Sequence, residues 1–534
     1  MRRLPALLCL VVIVSCTSPI APPVPEDPNP DGGEEVDPDD GTGQQTNANT
    51  IVSAGVGINL SAVNYFATQL PFSNLFLSRD AWMSTTWDAW DTEQIATIPA
   101  NADGYALELP YGELRMRAPA FLPIHADTFE MTWKGDGEFH IQAPGYKLLE
   151  LTETSLRFSV DASLSDSVFI RIDRSTPGNY VHDIEIRGQR DYGAEFRKSL
   201  KGFGVLRFMD WGATNHSPVK TWSERTLPKL GQGSDHGVAI EHMIDTANAV
   251  QAHMWFTVPH QADDDYMQRA AQLIAERLDK RLNVFIEYSN ENWNGIFSQV
   301  QWEQKQGLAL GYDEFRQGKT QEETEFWAGT FFAVQRAAYL HSVFRRALGE
   351  RAVTVLSGQS ANPGLNEAIL AAYEDTRINP LGGKPDALAV APYFGRVYRE
   401  REEVAGLTVD RILADAEESI AELVTEHTST NRDVADEHGV HLIAYEAGQH
   451  VLLTGGLEED EPLLEMVIAA NRDPRMGDLY RKAHKAWLAA GGELIVYFNS
   501  CEQPGKFGSW GAREYQDQPL SEAPKWAALQ SMVQ

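Results

Sequence analysis

Apolar and polar positions keep three different rhythms along this chain. In residues 51–177 apolar side chains recur at every second position, in Phe129-Met131-Trp133, Phe139-Ile141 and Leu156-Phe158-Val160. Gly135-Asp136-Gly137 and Pro144-Gly145 stand between such segments. Period two bounded by turn residues predicts half-buried antiparallel strands, and so a small β domain over residues 51–179. From about residue 180 onward, short continuous apolar runs take over, at 184–186, 205–209, 253–257, 284–287, 353–357, 387–391, 442–445 and 494–498. Runs of that length rich in branched side chains read as strands buried on both faces. Between them lie helical stripes. Met267, Ala271, Ile274 and Leu278 share one face behind the capping candidates Asp263, Asp264 and Asp265, and Ile240, Met243, Ile244 and Ala247 do the same. Strand and helix in alternation predict an α/β fold, a (β/α)8 barrel over residues 180–534. Two segments compete for its first strand. If it is Gly57-Ile58-Asn59-Leu60, the β domain is an insertion after that strand; otherwise Val181 to Ile186 opens the barrel.

The third rhythm is the absence of one. Residues 17–50 hold Pro, Asp, Glu, Gly, Asn and Thr with no aromatic and no basic side chain, which predicts an extended, self-repelling tether. Before it, Arg2 and Arg3 precede an apolar run from Leu7 to Val14, then Ser15-Cys16. Residues 1–16 therefore read as an export signal, too short for a membrane span. Ile13-Val14-Ser15-Cys16 resembles a bacterial lipobox, whose cysteine is acylated. That resemblance implies lipidation at Cys16 and a place in the bacterial cell envelope. Thr17 in the next position is similar to the pattern sorted to the outer membrane.

Charge narrows the partners. The 534 residues carry a net charge of −31, which excludes nucleic acid as a partner, because phosphate binding depends on Lys and Arg. It also weighs against acidic polysaccharides. Of the 3 cysteines, Cys9 and Cys16 lie in the leader, so Cys501 alone remains for the folded part. That leaves no disulfide framework and no cysteine-based zinc site. His216, His236, His260 and His450 stand singly, without the clustered spacing of a metal site. No cofactor motif is read. The oligomeric state is not legible. With 13 tryptophans the chain has more indole than its core needs, and sugar-binding clefts are a common use for the surplus.

The chemistry concentrates where two buried runs end. Val284-Phe285-Ile286 breaks into Glu287, Ser289, Asn290, Glu291 and Asn292, and Leu442-Ile443-Ala444 breaks into Tyr445 and Glu446. Two glutamates at the carboxyl ends of two barrel strands are what glycoside hydrolysis by paired carboxylates requires. Here the chain resembles clan A of the retaining glycoside hydrolases, in which an Asn-Glu pair ends barrel strand four and a second Glu ends strand seven. The resemblance implies Asn290 and Glu291 at the first position, with Glu291 as acid/base, and Glu446 at the second, as nucleophile. It also implies an arginine from strand two and a tyrosine near strand six beside the nucleophile, which Arg207 and Tyr393 match. Asn290 would hold a sugar hydroxyl.

Further polar residues fall at predicted strand ends: Asp210 and Asn215 after strand two, His260 and Gln261 after strand three, Gln359 after strand five, Asn499 and Glu502 after strand eight. Arg207, Tyr393, Asn215 and His260 are candidates for substrate binding. Trp211, Trp222, Trp293 and Trp510 lie in predicted loops on the same face as candidate stacking platforms, with Trp293 next to Glu291 foremost. The clan usually ends strand eight on a tryptophan, whereas this chain has Tyr497-Phe498-Asn499-Ser500. The function expected is a retaining β-glycosidase acting on a neutral β-linked polysaccharide or oligosaccharide. The alternative is a non-catalytic carbohydrate-binding lipoprotein, and retention of both glutamates favours the enzyme.

Overall fold

The computed structural model describes residues 50–533 apart from 52, 54, 87–94, 111, 113 and 165–166. The export signal, Cys16 and all but the last residue of the acidic tether lie outside the described residues.

Eight parallel strands close into a barrel. In order around it they are Val56–Asn59, Val205–Arg207, His253–Val258, Val284–Tyr288, Ala352–Ser357, Ala387–Val390, His441–Ala444 and Ile495–Tyr497, the last pairing back onto the first. The runs lack a polar face because each strand is covered twice. Val205, Trp255, Phe285, Val353, Ile443 and Val496 pack into the barrel interior, while Ile58, Leu206, Met254, Ile286, Leu388 and Leu442 face the helices. The bulk of Trp255 and Phe285, stacked at 5.4 Å between ring centroids, is offset by Ala387 and Ala389 in the same interior. Gly57 belongs to this economy of space. A Cβ there would come within 2.9 Å of the Val205 carbonyl oxygen and of the Val496 side chain.

The helices follow their predicted stripes. Asp264–Arg277 starts at Asp263, whose carboxylate accepts a hydrogen bond from the Tyr266 amide. It buries Met267, Ala271 and Ile274. Ile240–Val250 buries Ile240, Met243, Ile244 and Ala247.

Between barrel strands one and two the chain builds two antiparallel four-stranded sheets. The first holds Met83–Thr85, Arg115–Phe121, Val168–Ser175 and Gly137–Gln142; the second holds Lys147–Leu151, Ser155–Val160, Asp127–Lys134 and His182–Arg187. Phe129, Met131, Leu156, Phe158, Ile170 and Ile186 form their shared core. This settles the first strand in favour of the Gly57 segment and corrects the strand expected at 184–186. His182–Arg187 pairs antiparallel with Asp127–Lys134, and its exposed and buried residues alternate.

Hydrogen bonds tie the inserted domain to the loop after strand eight. The Gln516 side chain accepts from the Leu70 amide at 2.8 Å and donates to the Tyr192 carbonyl at 2.8 Å. Arg190 pairs with Asp517 at 2.7 Å.

Candidate active site

A cavity of about 550 Å³ opens at the carboxyl ends of the barrel strands. Arg207, the last residue of strand two, lies beneath it, 0% exposed. Five hydrogen bonds hold its guanidinium. Nε and Nη2 donate to Glu287 Oε2 at 3.1 and 2.9 Å. Nη1 donates to Glu446 Oε1 at 2.9 Å and to Asn59 Oδ1 at 3.0 Å. Nη2 also donates to Asn290 Oδ1 at 2.8 Å. Tyr393, beyond strand six, donates its hydroxyl to Glu446 Oε2 at 3.0 Å. Glu446 therefore has an acceptor bond on each oxygen, one of them charge-assisted.

Glu291 sits in a different setting. Its oxygens accept from the Tyr445 hydroxyl at 3.2 Å and the Asn294 amide at 2.9 Å, and Arg207 donates to neither. Its backbone lies in the left-handed region at φ 44°, two residues after Ser289 at φ 59°. Non-glycine residues hold that conformation at a cost of order 1–3 kcal/mol each, and only where the surroundings enforce it. Here they do. The Ser289 amide donates to the Val258 carbonyl at 2.8 Å, the Asn294 amide to the Glu291 carbonyl at 2.8 Å, and Gln299 Nε2 to the Asn290 carbonyl at 2.9 Å. The turn aims Glu291 into the cavity that Glu446 also lines.

The electrostatics separate the two acids. Burial raises both carboxyls above the ordinary range. For Glu446 the charge of Arg207 and the bonds from Tyr393 and Arg207 pull back down. For Glu291 the charge of Glu446 pushes further up. The two environments drive the acidities of the pair apart, favouring the charged form more at Glu446 than at Glu291.

Of the remaining sequence-expected residues, Asn290, Asn215, Trp293 and Trp510 line the cavity. Asn290 donates one amide hydrogen to Asn215 Oδ1 at 3.1 Å, and an amide carries two. Trp510 packs with Tyr393, His450 and Phe498 at centroid distances of 5.8, 5.2 and 6.0 Å, an aromatic wall beside Glu446. Three expectations are corrected. Trp211, 1% exposed, donates its indole N–H to the Ser61 carbonyl at 3.1 Å and packs on Phe72, Phe196 and Phe208, so it anchors the core. His260, 2% exposed, packs on Trp302, and burial pushes its imidazole down to about 4. Arg207 touches carboxylates from below and presents no surface to a ligand.

Two site residues carry no role in the sequence reading. Glu287, 0% exposed, accepts from Arg207 and from Trp255 Nε1 at 2.8 Å, and Asn59 accepts from Arg207 while donating to the Tyr445 and Tyr497 carbonyls. The signal was parity. Positions 285 and 287, like 57 and 59, share the inward face of their strands.

Fold and cavity together define a (β/α)8-barrel protein with a carboxylate-lined cavity at the active-site face of the barrel. No protein-family model matches the chain, and no curated protein matches it. Solved structures that it resembles include glycoside hydrolases. The GH51 arabinofuranosidase from Xanthomonas axonopodis pv. citri is 13% identical over 61% of this chain and 61% of that one, with a TM-score of 0.33. A double mutant of the β-glucosidase from Trichoderma harzianum is 14% identical over 64% of this chain and 87% of that one, at 0.37. The CBM22-1–GH10 modules of an endo-1,4-β-D-xylanase from Clostridium thermocellum, complexed with xylohexaose, are 9% identical over 89% of this chain and 98% of that one, at 0.38. The chain thus spans about three fifths (61%) of the length of the arabinofuranosidase.

Proposed function

We propose that the protein is a retaining β-glycoside hydrolase with Glu446 as nucleophile and Glu291 as acid/base. The observation that carries this reading is the asymmetry of two carboxyls facing one cavity. Glu446 is bonded by Arg207 and Tyr393, while Glu291 is bonded by neutral groups alone. In the first step a Glu446 oxygen attacks the anomeric carbon, the glycosidic C–O bond breaks, and the Glu291 proton passes to the departing oxygen. In the second step ionised Glu291 takes a proton from water, whose oxygen displaces Glu446 from the sugar. Asn290 has an amide hydrogen without a partner among the described residues, suited to a sugar hydroxyl, and Trp293 and Trp510 offer ring faces to the sugar.

Substitution separates the two roles. Glu291→Ala should abolish cleavage of natural glycosides while sparing aryl glycosides, whose leaving groups need little protonation. Glu446→Gly with azide should yield a glycosyl azide of inverted configuration. Wild-type turnover in Glu446→Gly would remove the nucleophile from the mechanism.

The substrate proposed is a β-linked polysaccharide or oligosaccharide, met at the cell envelope. There Cys16 would carry a lipid anchor on the outer membrane and residues 17–50 would hold the barrel away from the surface.

A further inference from the structure

One corner of the cavity gathers two carboxyls and an unpaired amide carbonyl. Asp210 comes from the loop after strand two, and Asn499 and Glu502 from the loop after strand eight, and all three line the cavity. No hydrogen bond from the described residues reaches the Asp210 carboxyl. Asn499, 3% exposed, spends one amide hydrogen on Glu502 Oε2 at 2.9 Å. Its buried carbonyl oxygen Oδ1 has no partner among the described residues. Buried acceptors left unpaired cost about 1–3 kcal/mol each, which a ligand of the right chemistry recovers.

The charge of the wall selects that chemistry. Asp210, Glu291, Glu446 and Glu502 line the cavity, and among the described residues no lysine or arginine does. His450 is held neutral by burial, its imidazole pushed down to about 4. The hydroxyls nearest the corner are already committed: Ser61 bonds Ser500 and the Cys501 amide, and Thr68 donates to the Glu514 carbonyl. Lys525, behind Glu502, points its ammonium at the Ser509 carbonyl and Asn471. Two acids and an orphan carbonyl suit an ammonium, which has three N–H donors and no acceptor and draws the proton off a neutral carboxyl. A carboxylated or sulfated sugar would meet carboxyls and, among the described residues, no lysine or arginine.

We propose that this corner is a subsite for a protonated amine on a sugar ring, so that the preferred substrates are oligosaccharides with free amines in place of N-acetyl groups. This rests on the hydrolase reading for turnover and on the corner alone for binding. With the cavity empty, burial and the charges of Glu446 and Glu502 push Asp210 up to about 8. An arriving ammonium favours the ionised carboxylate, and so binding expels a proton.

The test is calorimetric titration of Glu291→Gln, which halts turnover, with the β-linked tetrasaccharides of glucosamine, N-acetylglucosamine and glucose. The glucosamine tetramer should bind at least about tenfold more tightly than the others, the scale of one charge-assisted contact. Its binding heat should vary with the ionisation heat of the buffer, as proton release requires. Asp210→Asn and Glu502→Gln, each added to Glu291→Gln and each checked for folding by circular dichroism, should bring the preference close to unity. Equal or weaker binding of the amine sugar, no binding of any of the three, or a preference intact in both folded variants overturns the proposal. If one variant fails to fold, the other and the three-sugar comparison decide. Glu446-dependent turnover of aryl glycosides without amine preference defeats the subsite and leaves the hydrolase. Amine preference without turnover of any glycoside does the reverse.

Discussion

Arg207 shows how one buried cation sets the acidity of a whole site. It serves two carboxylates at once, Glu287 at 2.9 Å and Glu446 at 2.9 Å, and the charge of Glu287 works against Glu446 by raising its pKa. Removing that charge while keeping the side chain, in Glu287→Gln, leaves the field of Arg207 to Glu446 alone. Activity that needs ionised Glu446 is lost as pH falls through its pKa, so the acid limb of the kcat/KM profile should move to lower pH. A loosened guanidinium should also lower kcat roughly tenfold to a hundredfold. An acid limb that stays in place or moves to higher pH would show that Glu287 does not act through Glu446. Glu303 poses the opposite case. It is 1% exposed, neither carboxyl oxygen has a partner among the described residues, and burial holds its pKa well above the ordinary value. A folded-state pKa above the unfolded one gives stability that is present in acid and lost as pH rises. Glu303→Met should therefore stabilise the protein at neutral pH by about 1–3 kcal/mol and flatten the fall in stability between acid and neutral pH. Equilibrium unfolding at several pH values measures both.

At the level of the element, legibility followed the physics of burial. Strands covered on both faces left continuous apolar runs, and these located barrel strands two to eight and the two glutamates at their ends. The failure at 184–186 is instructive, because His182-Asp183-Ile184-Glu185-Ile186-Arg187 alternates as a one-sided strand does. It belonged with the antiparallel pattern before it. Trp211 was misplaced for a related reason, since an indole at a strand end packs a core and stacks on a sugar with the same composition around it. Nothing local in sequence marks Glu287 as the partner of Arg207, for 80 residues separate them. Close packing between helices is equally silent in a periodicity. Ser298–Ala309 and Gln321–Leu348 meet at Gly307 and Gly329, where a Cβ on Gly307 would lie 2.0 Å from the Ala328 carbonyl oxygen. Gly307→Ala should force these helices apart and cost about 1–3 kcal/mol, even though alanine is the better helix former. An unchanged or raised melting temperature would mean that the two helices slide freely.

For the whole molecule, the inserted β domain and the tether answer different demands. The insertion is bolted to the barrel through Gln516, Arg190 and Asp517, and the loop that leads into it, from Ser61 to Thr68, forms part of the cavity wall. The tether offers little to pack, being acidic and free of aromatic side chains from residue 17 to residue 50. A chain whose net charge is −31 is repelled by an anionic membrane surface, and an acidic tether that repels itself would extend in the same direction. Electrostatics alone would therefore release this protein into solution. If the protein is found with membranes, we propose that a lipid on Cys16 does the holding, through insertion of acyl chains at about 0.8 kcal/mol per buried methylene. Cys16→Ala should then move the protein from the membrane to the soluble fraction, and high salt, which screens repulsion without weakening acyl insertion, should not release the wild type. Membrane association that survives in Cys16→Ala would place the anchor elsewhere in the chain, and wild-type protein washed free by salt would make the attachment ionic.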